Sequence, residues 1–378
     1  MQYRNFKNTG TELSLLGFGA MRLPVRNKVE SDIDEEKALE MIDYAYENGV
    51  NYFDTAYIYH GRKAEAFLGK ALGRYRRESY HLATKMPPWN IEKKEDLQRI
   101  FDEQLKNCGV DYFDFYLMHC ITRTFLPLFE KLETWEFMLE QKQKGKIRYL
   151  GFSLHDNVDI LTQAIDKWPV DFAQIQLNYL DWEQLNAKGL YETLWARGIP
   201  TIVMEPVRGG LLASLPKDSA KILQEADPTR SAASWAMRFC GDLPGVATVL
   251  SGMSTMEQVK DNVATFKNFV PLNSAEREAI NRTVDVYRKN AMVPCTVCRY
   301  CMPCPEGIEI PHSMAIYNAY KSGDTAQHFL NEYALIGKGS FPHKCTGCGV
   351  CLERCPQQID IPTWMKEIST TQKELSKK

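Results

Sequence analysis

Four side chains suited to proton transfer lie in the later part of three successive apolar runs of the sequence. The runs cover 50–59, 79–87 and 110–119, and each ends in polar residues that an apolar strand does not require. These residues are Asp54 with Tyr59 or Tyr57 just beyond it, Lys85, and His119. Any one of them could be a turn cap, a solvated side chain or a core histidine. Together, at the same end of adjacent strands, they predict a shared acid–base site.

A second group of reactive residues lies near the end of the chain. Eight of the eleven cysteines follow residue 294 in two tight runs. They are Cys295, Cys298, Cys301 and Cys304, then Cys345, Cys348, Cys351 and Cys355. The N-terminal segment has no apolar run typical of a signal peptide, so we expect a cytoplasmic protein. In that setting such spacing favours metal or cluster ligands over disulfides.

The elements that must position the first site are eight apolar runs alternating with amphipathic segments. The runs are nearly continuous, which is typical of parallel strands covered on both faces. They cover 13–21, 50–59, 79–87, 110–119, 147–155, 172–180, 200–207 and 246–252. The segments between them read as helices, such as the acidic start and glycine end of 34–49. This alternation predicts a (β/α)8 TIM barrel, an α/β fold with its chemistry at the carboxyl ends of the strands.

A doubly wound sheet is the competing fold. It would normally carry G-x-G-x-x-G after its first strand, and the nearest sequence, GFGAMR at 17–22, has arginine at the last position. We therefore predict a barrel over 1–290, including a final helix at 274–290, and a small cysteine-rich domain over 291–378. The last residues, 370–378, are predicted to be a frayed tail.

Three segments identify the barrel more closely by resemblance. FDTAYIYHG (53–61), ATKMP (83–87) and DYFDFYLMH (111–119) resemble the catalytic segments of aldo-keto reductases. The resemblance extends from GFGAMRLP at 17–24 to GMSTMEQVKDN at 252–262. It implies a TIM barrel that reduces an aldehyde or ketone with NADP or NAD as cofactor. The implied catalytic residues are Asp54, Tyr59, Lys85 and His119, with Tyr57 as the alternative tyrosine.

The residue types suit such a reduction. A carbonyl needs a hydride at carbon and a proton at the developing alkoxide. Tyr59 is the natural acid, and a neighbouring Lys85 cation would stabilise its phenolate. Asp54 would hold Lys85 in place, and His119 would orient the substrate oxygen. Trp89, just beyond Lys85, is a candidate for substrate packing or for rim packing.

The resemblance also implies cofactor contacts at the other strand ends. Ser153 and Gln174 would bind the nicotinamide carboxamide, and Met204 stands where relatives have a stacking aromatic residue. The implied cofactor-binding set is Gly19, Ala20, Met21, Asp54, Ser153, Gln174, Met204, Pro206, Gly252, Gln258, Asp261 and Asn262.

At the adenosine end this sequence departs from the family. The basic residues that usually hold the 2′-phosphate of NADP fall at Gly252 and Gln258, and Lys260 and Arg208 are the nearby cations. NADPH, NADH or dual use therefore all stay open.

The cysteine runs resemble those of bacterial ferredoxins. The second run is C-x2-C-x2-C-x3-C-P, the spacing of [4Fe–4S] ligands, and the first is one residue shorter before its last cysteine. In two-cluster ferredoxins the fourth cysteine of each run ligates the other cluster. We predict a mainly helical, ferredoxin-like domain with two [4Fe–4S] clusters. One cluster, or two zinc ions each held by one run, are the alternatives.

Composition limits the partners. The chain of 378 residues has a formal net charge of −2 and no run long enough to span a membrane, so neither nucleic acid nor membrane is expected to bind. We predict a small-molecule carbonyl substrate and a redox partner protein. The iron–sulfur module would be structural, sensing or electron-transferring. The alternative function is an NAD(P)H-binding redox sensor with little turnover.

Overall fold

The computed structural model describes residues 1–7, 9–27, 29–288, 292–337 and 339–377. The chain folds into two compact units. Unit 1 comprises Met1–Pro206 and Ser234–Leu272, and unit 2 comprises Val207–Ala233 and Asn273–Lys378. The predicted domain boundary at 290/291 lies outside the described residues and stays a prediction.

Eight parallel strands of unit 1 close into a barrel. Each strand pairs with the next along the chain, and the last closes on the first. The predicted (β/α)8 barrel is therefore confirmed. The strands are β3 Leu16–Gly19, β4 Tyr52–Asp54, β5 His81–Met86, β6 Phe113–Ile121, β7 Ile147–Leu154, β8 Phe172–Gln176, β9 Thr201–Met204 and β10 Val246–Gly252.

Sixteen α-helices are formed by the described residues, eleven of them up to residue 267 and five beyond it. The first eleven are α1 Glu35–Glu47, α2 Ala64–Leu72, α3 Lys94–Cys108, α4 Leu126–Lys131, α5 Thr134–Gln143, α6 Val158–Lys167, α7 Asp181–Gln184, α8 Ala187–Ala196, α9 Lys217–Ala226, α10 Ala232–Gly241 and α11 Met256–Lys267. The remaining helices, all in unit 2, are α12 Ser274–Arg288, α13 Ile310–Lys321, α14 Ala326–Leu335, α15 Val350–Arg354 and α16 Ile361–Leu375.

Helix α3 shows how local sequence sets these elements. The Asp96 carboxylate accepts hydrogen bonds from the backbone N–H groups of Glu92 and Lys93, which caps the helix start. Gly109 ends the helix in the left-handed conformation, with φ 63°. Buried residues recur every three or four positions, so one face packs inward: Leu97, Ile100, Phe101, Gln104 and Cys108.

The first apolar run is not one strand, as predicted, but two short ones. Its start belongs to an antiparallel hairpin of β1 Tyr3–Phe6 and β2 Thr11–Ser14, and only its centre forms β3. Phe6 and Leu13 of the hairpin are buried in a cluster with barrel residues, and the ring of Phe6 lies 5.2 Å from that of Phe115. The hairpin packs there because eight short strands leave apolar side chains to be covered.

Unit 2 has its own apolar core around the cysteine runs. Thirteen buried residues between Val293 and Ile368 form this core, and Met314, Phe329 and Met365 are nearly inaccessible. The segment after β9 belongs to the same unit. At Gly209, with φ 64°, an added Cβ would come within 2.4 Å of the Thr296 carbonyl oxygen, so only glycine fits.

The end of the chain is more ordered than predicted. Residues 361–375 form α16, because Asp360 caps its start at Thr363 and Met365 and Ile368 are buried in the unit 2 core. The predicted helix at 274–290 is α12, described as far as Arg288. Asn273 caps its start, because its side chain accepts from the Glu276 backbone N–H and the Glu276 carboxylate accepts from the Asn273 backbone N–H. Among the described residues, no helix has the length and apolarity needed to cross a membrane.

Candidate active site and cysteine sites

The site is built around a buried ion pair at the carboxyl ends of β4 and β5. The Lys85 ammonium donates to Asp54 Oδ1 at 2.6 Å and to the Thr55 carbonyl oxygen at 2.6 Å. Lys85 is 0% exposed and Asp54 4%. Burial lowers the pKa of Lys85 from its ordinary value, although the Asp54 carboxylate raises it in part. The lysine is thus held in one position and gives up its proton more readily than a surface lysine.

The structure separates the two candidate tyrosines. Lys85 Nζ lies 5.1 Å from the ring centre of Tyr59, which is buried. Tyr57 instead donates its hydroxyl to Glu103 at 2.6 Å and contacts the guanidinium of Arg62. Tyr59 is therefore the tyrosine placed beside the lysine, and Tyr57 is bound to a surface ion pair.

The turn after Tyr59 has an unusual backbone. His60, Gly61 and Arg62 all have positive φ, between 51° and 73°. Two of them are not glycine, so neighbouring contacts must hold the turn. The His60 ring nitrogen Nδ1 bonds to the Glu30 carbonyl oxygen at 2.7 Å. This turn fixes where the chain leaves Tyr59.

His119 completes the group at the end of β6. Its ring centre lies 6.1 Å from that of Tyr59 at 84°, and it is 1% exposed. The next residue, Cys120, has φ 63°, and the β6–β7 register shifts between Met118 and Ile121. This bulge turns the strand end and aims the imidazole, a common use of bulges at active sites.

Both histidines of this region are held neutral. The pKa of His119 is well below its ordinary value because of burial, with contributions from Lys85 and His155. Burial and Lys85 also lower the pKa of His155 to about 4. At neutral pH, His119 can therefore donate a hydrogen bond to an oxygen but carries no charge.

The predicted carboxamide-binding residues lie side by side on β7 and β8. Ser153 and Gln174 are register partners, and both are buried. The Ser153 hydroxyl oxygen accepts from the Cys120 backbone N–H at 2.8 Å, which leaves its own proton to donate. Gln174 Nε2 lies 3.6 Å from the Met204 sulfur, and its Oε1 is buried without a hydrogen-bond partner among the described residues.

The predicted contacts at the ends of β3 and β10 also lie together. Gly19 pairs with Gly252, and an added Cβ at Gly19 would lie 3.3 Å from the Ser251 carbonyl oxygen. Ala20 is buried, and Met21 packs against the small cluster that contains Tyr59. Pro206 is buried two residues beyond the end of β9.

The start of α11 carries the predicted adenosine contacts. Asn262 donates to the Ser251 hydroxyl at 3.0 Å, while Asp261 is half-buried. The Gln258 side chain accepts from the Ser254 backbone N–H at 2.7 Å, so it caps the helix. The exposed Lys260 ammonium lies 5.8 Å from the ring centre of Tyr44.

Sequence reasoning missed Arg22 and His155, which lie near this site. Arg22 packs against Gly252, where an added Cβ would meet its Cγ at 3.1 Å. His155 follows Ser153 by two residues, and its backbone N–H donates to the Ile121 carbonyl oxygen at 2.9 Å. The histidine in SLH at 153–155, so close to Ser153, was the available signal for His155. Trp89, 36% exposed, stands edge-on to His119 at 5.2 Å and to Phe125 at 5.5 Å, at the edge of the site.

The eight late cysteines fall into two sets that each draw on both runs. Cys304, the fourth of the first run, lines one cavity with the first three cysteines of the second run. Burial, and the neighbouring Cys345, Cys304 and Cys348, raise the pKa of Cys351 to about 11. Apolar residues complete that cavity: Ile308, Ile310, Ile361 and Met365.

The other set combines the first three cysteines of the first run with the last of the second. The pKa of Cys301 is raised by burial first, and then by Cys298, Cys295 and Cys355. None of the eleven cysteines forms a disulfide. Four thiols per set are the donors that a [4Fe–4S] cluster requires, and the exchange of the fourth cysteine is the ferredoxin pattern.

The barrel and its strand-end residues define a class of oxidoreductase, and comparisons with known proteins identify the family. The model of the aldo/keto reductase family matches residues 15–285, and the model of a 4Fe-4S dicluster domain matches residues 294–359. This chain belongs to the aldo/keto reductase family and carries a C-terminal 4Fe-4S domain.

Individual relatives cover the barrel portion. L-galactose dehydrogenase of Arabidopsis thaliana is 28% identical over 288 residues, which are 70% of this chain and 88% of that protein. The uncharacterized oxidoreductase YqkF of Bacillus subtilis (strain 168) is 27% identical over 295 residues, 70% of this chain and 90% of that protein. The chain is thus similar to these proteins over 70% of its length.

Solved structures give the same result. The aldo-keto reductase AKR11C1 from Bacillus halodurans in its holo form has a TM-score of 0.63 at 30% identity, covering 75% of this chain and 96% of that one. The aldo/keto reductase from Klebsiella pneumoniae in complex with NADP and acetate has a TM-score of 0.59 at 20% identity, covering 73% and 92%. The second likeness concerns the fold alone.

Proposed function

We propose that the barrel reduces an aldehyde or ketone with a hydride from NADPH or NADH. The observation that carries this proposal is the buried Lys85–Asp54 pair with Tyr59 and His119 beside it. A lysine without water around it, next to a tyrosine, supplies a proton donor whose phenolate is stabilised.

Each residue has a separate part in the proton transfer. Tyr59 gives its hydroxyl proton to the carbonyl oxygen as negative charge develops there. Lys85 stabilises the resulting phenolate, and Asp54 keeps the ammonium in place. His119, neutral and nearly inaccessible to water, donates a hydrogen bond that orients the same oxygen.

The chain also fits a nicotinamide. When bound, this cofactor supplies the hydride. The unpartnered Gln174 Oε1 would accept from the carboxamide NH2, and the Ser153 hydroxyl would donate to the carboxamide oxygen. Asp54 Oδ2 is likewise buried without a hydrogen-bond partner in the described part of the chain and would accept from a cofactor hydroxyl. The AKR11C1 structure, which is 30% identical to this chain, is of a holo form and supports cofactor binding by such a barrel.

For the adenosine end we propose that Arg22 supplies the cation missing at Gly252 and Gln258. Its side chain lies against Gly252, and its guanidinium is 3.9 Å from the Glu205 carboxylate. A phosphate is best bound by such a guanidinium. A contact from Arg22 to the 2′-phosphate would favour NADP, whereas NAD would be held by Asp261 and Asn262 without it.

In unit 2 we propose two [4Fe–4S] clusters, one per cysteine set. One would be held by Cys295, Cys298, Cys301 and Cys355, the other by Cys304, Cys345, Cys348 and Cys351. Since a [4Fe–4S] cluster moves one electron and a hydride carries two, their role would be structural, sensing or exchange with a redox partner protein rather than direct transfer from NAD(P)H.

An anaerobic turnover assay tests the enzymatic function. The purified protein is given NADPH or NADH with a panel of aldehydes, ketones and quinones, and cofactor oxidation is followed. Turnover that depends on the carbonyl compound is expected. Tight cofactor binding without turnover of any of these compounds would instead favour the redox sensor with little activity.

A further inference from the structure

A buried carboxylate lies behind Lys85, on the helix side of β5. Glu65 of α2 is 1% exposed. Its Oε1 accepts from the Thr84 hydroxyl at 2.7 Å and from Gln104 Nε2 at 2.7 Å, and its Oε2 accepts from Asn107 Nδ2 at 3.4 Å. Three side-chain donors from two elements thus satisfy one carboxylate away from water, a costly arrangement unless every partner is present.

This network is attached to the backbone of Lys85. Gln104 Nε2 also donates to the Lys85 carbonyl oxygen at 3.0 Å, and Tyr116 donates to Gln104 Oε1 at 2.6 Å. Side chains alternate along a strand, so Thr84 points to the helices where Lys85 points into the barrel. Glu65 and its partners therefore hold the strand from outside at the residue that carries the ammonium inside.

The charge of Glu65 also reaches the site. Three titratable groups face it: Lys85 of β5, Tyr116 of β6 and Cys108 of α3. Burial lowers the pKa of Lys85, and Asp54 and then Glu65 oppose that fall. Burial raises the pKa of Glu65 itself, against its three hydrogen-bond donors and Lys85. A second carboxylate thus acts on the lysine beside the one that contacts it.

We propose that Glu65 is a positioning residue for Lys85, which it holds in register through Gln104 and whose charged form its carboxylate favours. The proposal rests on the function proposed above, because Lys85 is given its role there. Glu65 touches neither substrate nor cofactor in it. Its effect on the reaction passes entirely through the lysine.

The test compares Glu65→Gln with Asp114→Asn. Asp114 is equally buried and accepts from Arg77 at 2.6 Å and from the Leu82 backbone N–H at 3.0 Å, but it lies at the opposite end of β6 from His119. Both variants lose a buried carboxylate charge, so both are expected to lower the Tm. Only Glu65→Gln should lower kcat, by about 10- to 100-fold with KM nearly unchanged, because misplacement of the lysine affects the transition state.

The pH profile separates positioning from general destabilisation. Loss of the Glu65 charge favours the neutral amine of Lys85, so the basic limb of kcat should move to lower pH in Glu65→Gln and stay in place in Asp114→Asn. A Glu65→Gln enzyme with wild-type kcat and basic limb, or one that differs from Asp114→Asn only in Tm, overturns the proposal.

A measurement that needs no turnover tests the role of Glu65 independently of the proposed carbonyl reduction. In protein labelled with 13C at lysine Cε, the Lys85 resonance is assigned by its loss in Lys85→Met, and its titration midpoint is followed by NMR. The titration midpoint of Lys85 should fall in Glu65→Gln, even if the wild type reduces no carbonyl. An unchanged midpoint would contradict the proposed effect of Glu65 on Lys85. If Glu65→Gln does not fold, Gln104→Met removes the same hydrogen-bonded link between Glu65 and the Lys85 backbone and should lower kcat by a similar factor. An unchanged kcat in Gln104→Met would overturn the proposal that this network positions Lys85.

Discussion

Burial governs the acid–base chemistry of Lys85 and Asp54. Removing two charges from water is costly, and their mutual attraction compensates only when the geometry is close, as at the 2.6 Å contact here. Loss of one partner would leave an uncompensated buried charge. The same burial keeps His119 neutral. The charges of these residues are therefore coupled, so the effect of each substitution should be compared with that of a control substitution at a nearby residue.

Cofactor choice is tested at Arg22. Removal of a charge-assisted phosphate contact is worth about 1.5–3 kcal/mol, or about 10- to 100-fold in Kd. In Arg22→Met we expect the Kd for NADPH to rise by that factor and the Kd for NADH to change less than about threefold. Fluorescence titration of both cofactors measures this. Lys260→Met is the control, and a selective loss of NADPH binding there instead would assign the phosphate contact to Lys260.

The neutral His155 makes the protein sensitive to acid. Its native pKa of about 4 is below the unfolded value of ~6.5, so between these values only the unfolded chain takes up the proton. Stability is therefore lost as the pH falls from ~6.5 to about 4, by at most about 2 kcal/mol at pH 5. His155→Gln should lose less Tm than wild type between pH 7 and pH 5. An equal loss in both would contradict the assignment, and the exposed His328→Gln serves as control.

At the level of structural elements, the sharing of cluster ligands between the two cysteine runs is tested with pairs of Cys→Ser substitutions. If the sets are shared between runs, Cys304→Ser and Cys345→Ser impair the same cluster. The double variant should then retain the iron and acid-labile sulfide of one cluster, as each single variant does. Cys304→Ser combined with Cys295→Ser should lose both clusters. If Cys295→Ser and Cys304→Ser instead impair the same cluster, each run holds its own cluster.

Much of this arrangement could be predicted from the sequence, for identifiable reasons. Continuous apolar runs gave the parallel barrel, and its topology brings Asp54, Lys85 and His119 to one end. The choice between Tyr59 and Tyr57 needed coordinates as well as resemblance, since both lie in the loop after β4. Glu65 could not be found, because an acidic residue in an amphipathic helix normally faces solvent.

Other features depend on contacts between distant segments. The N-terminal hairpin was missed because its four-residue strands are too short to show a period. The bulge at Cys120 has no sequence signal, since a positive φ at a cysteine is uncommon. The missing residue in the first cysteine run left one cluster as an alternative to two. Cys304 lines a cavity with Cys345, Cys348 and Cys351, so under the proposed sharing of ligands its spacing to Cys301 would not be set by a single cluster.

At the scale of the whole molecule, a two-electron barrel and a one-electron module share one chain. Because a hydride carries two electrons and a [4Fe–4S] cluster takes one, we expect NADPH alone to leave the clusters oxidised and dithionite to reduce them. Anaerobic EPR and visible absorbance after each addition measure this. Reduction of the clusters by NADPH in stoichiometric amounts would contradict the separation and imply a further redox group.

Tyr59, activated by Lys85, is proposed as the proton donor of a carbonyl reductase. This role is tested by measuring kcat for carbonyl reduction in Tyr59→Phe and in Tyr57→Phe, together with the cofactor Kd of each variant. We expect a loss of about 100-fold or more in kcat for Tyr59→Phe, with cofactor binding intact, and near-wild-type kcat for Tyr57→Phe. Unchanged turnover in Tyr59→Phe, or the large loss in Tyr57→Phe instead, would contradict it.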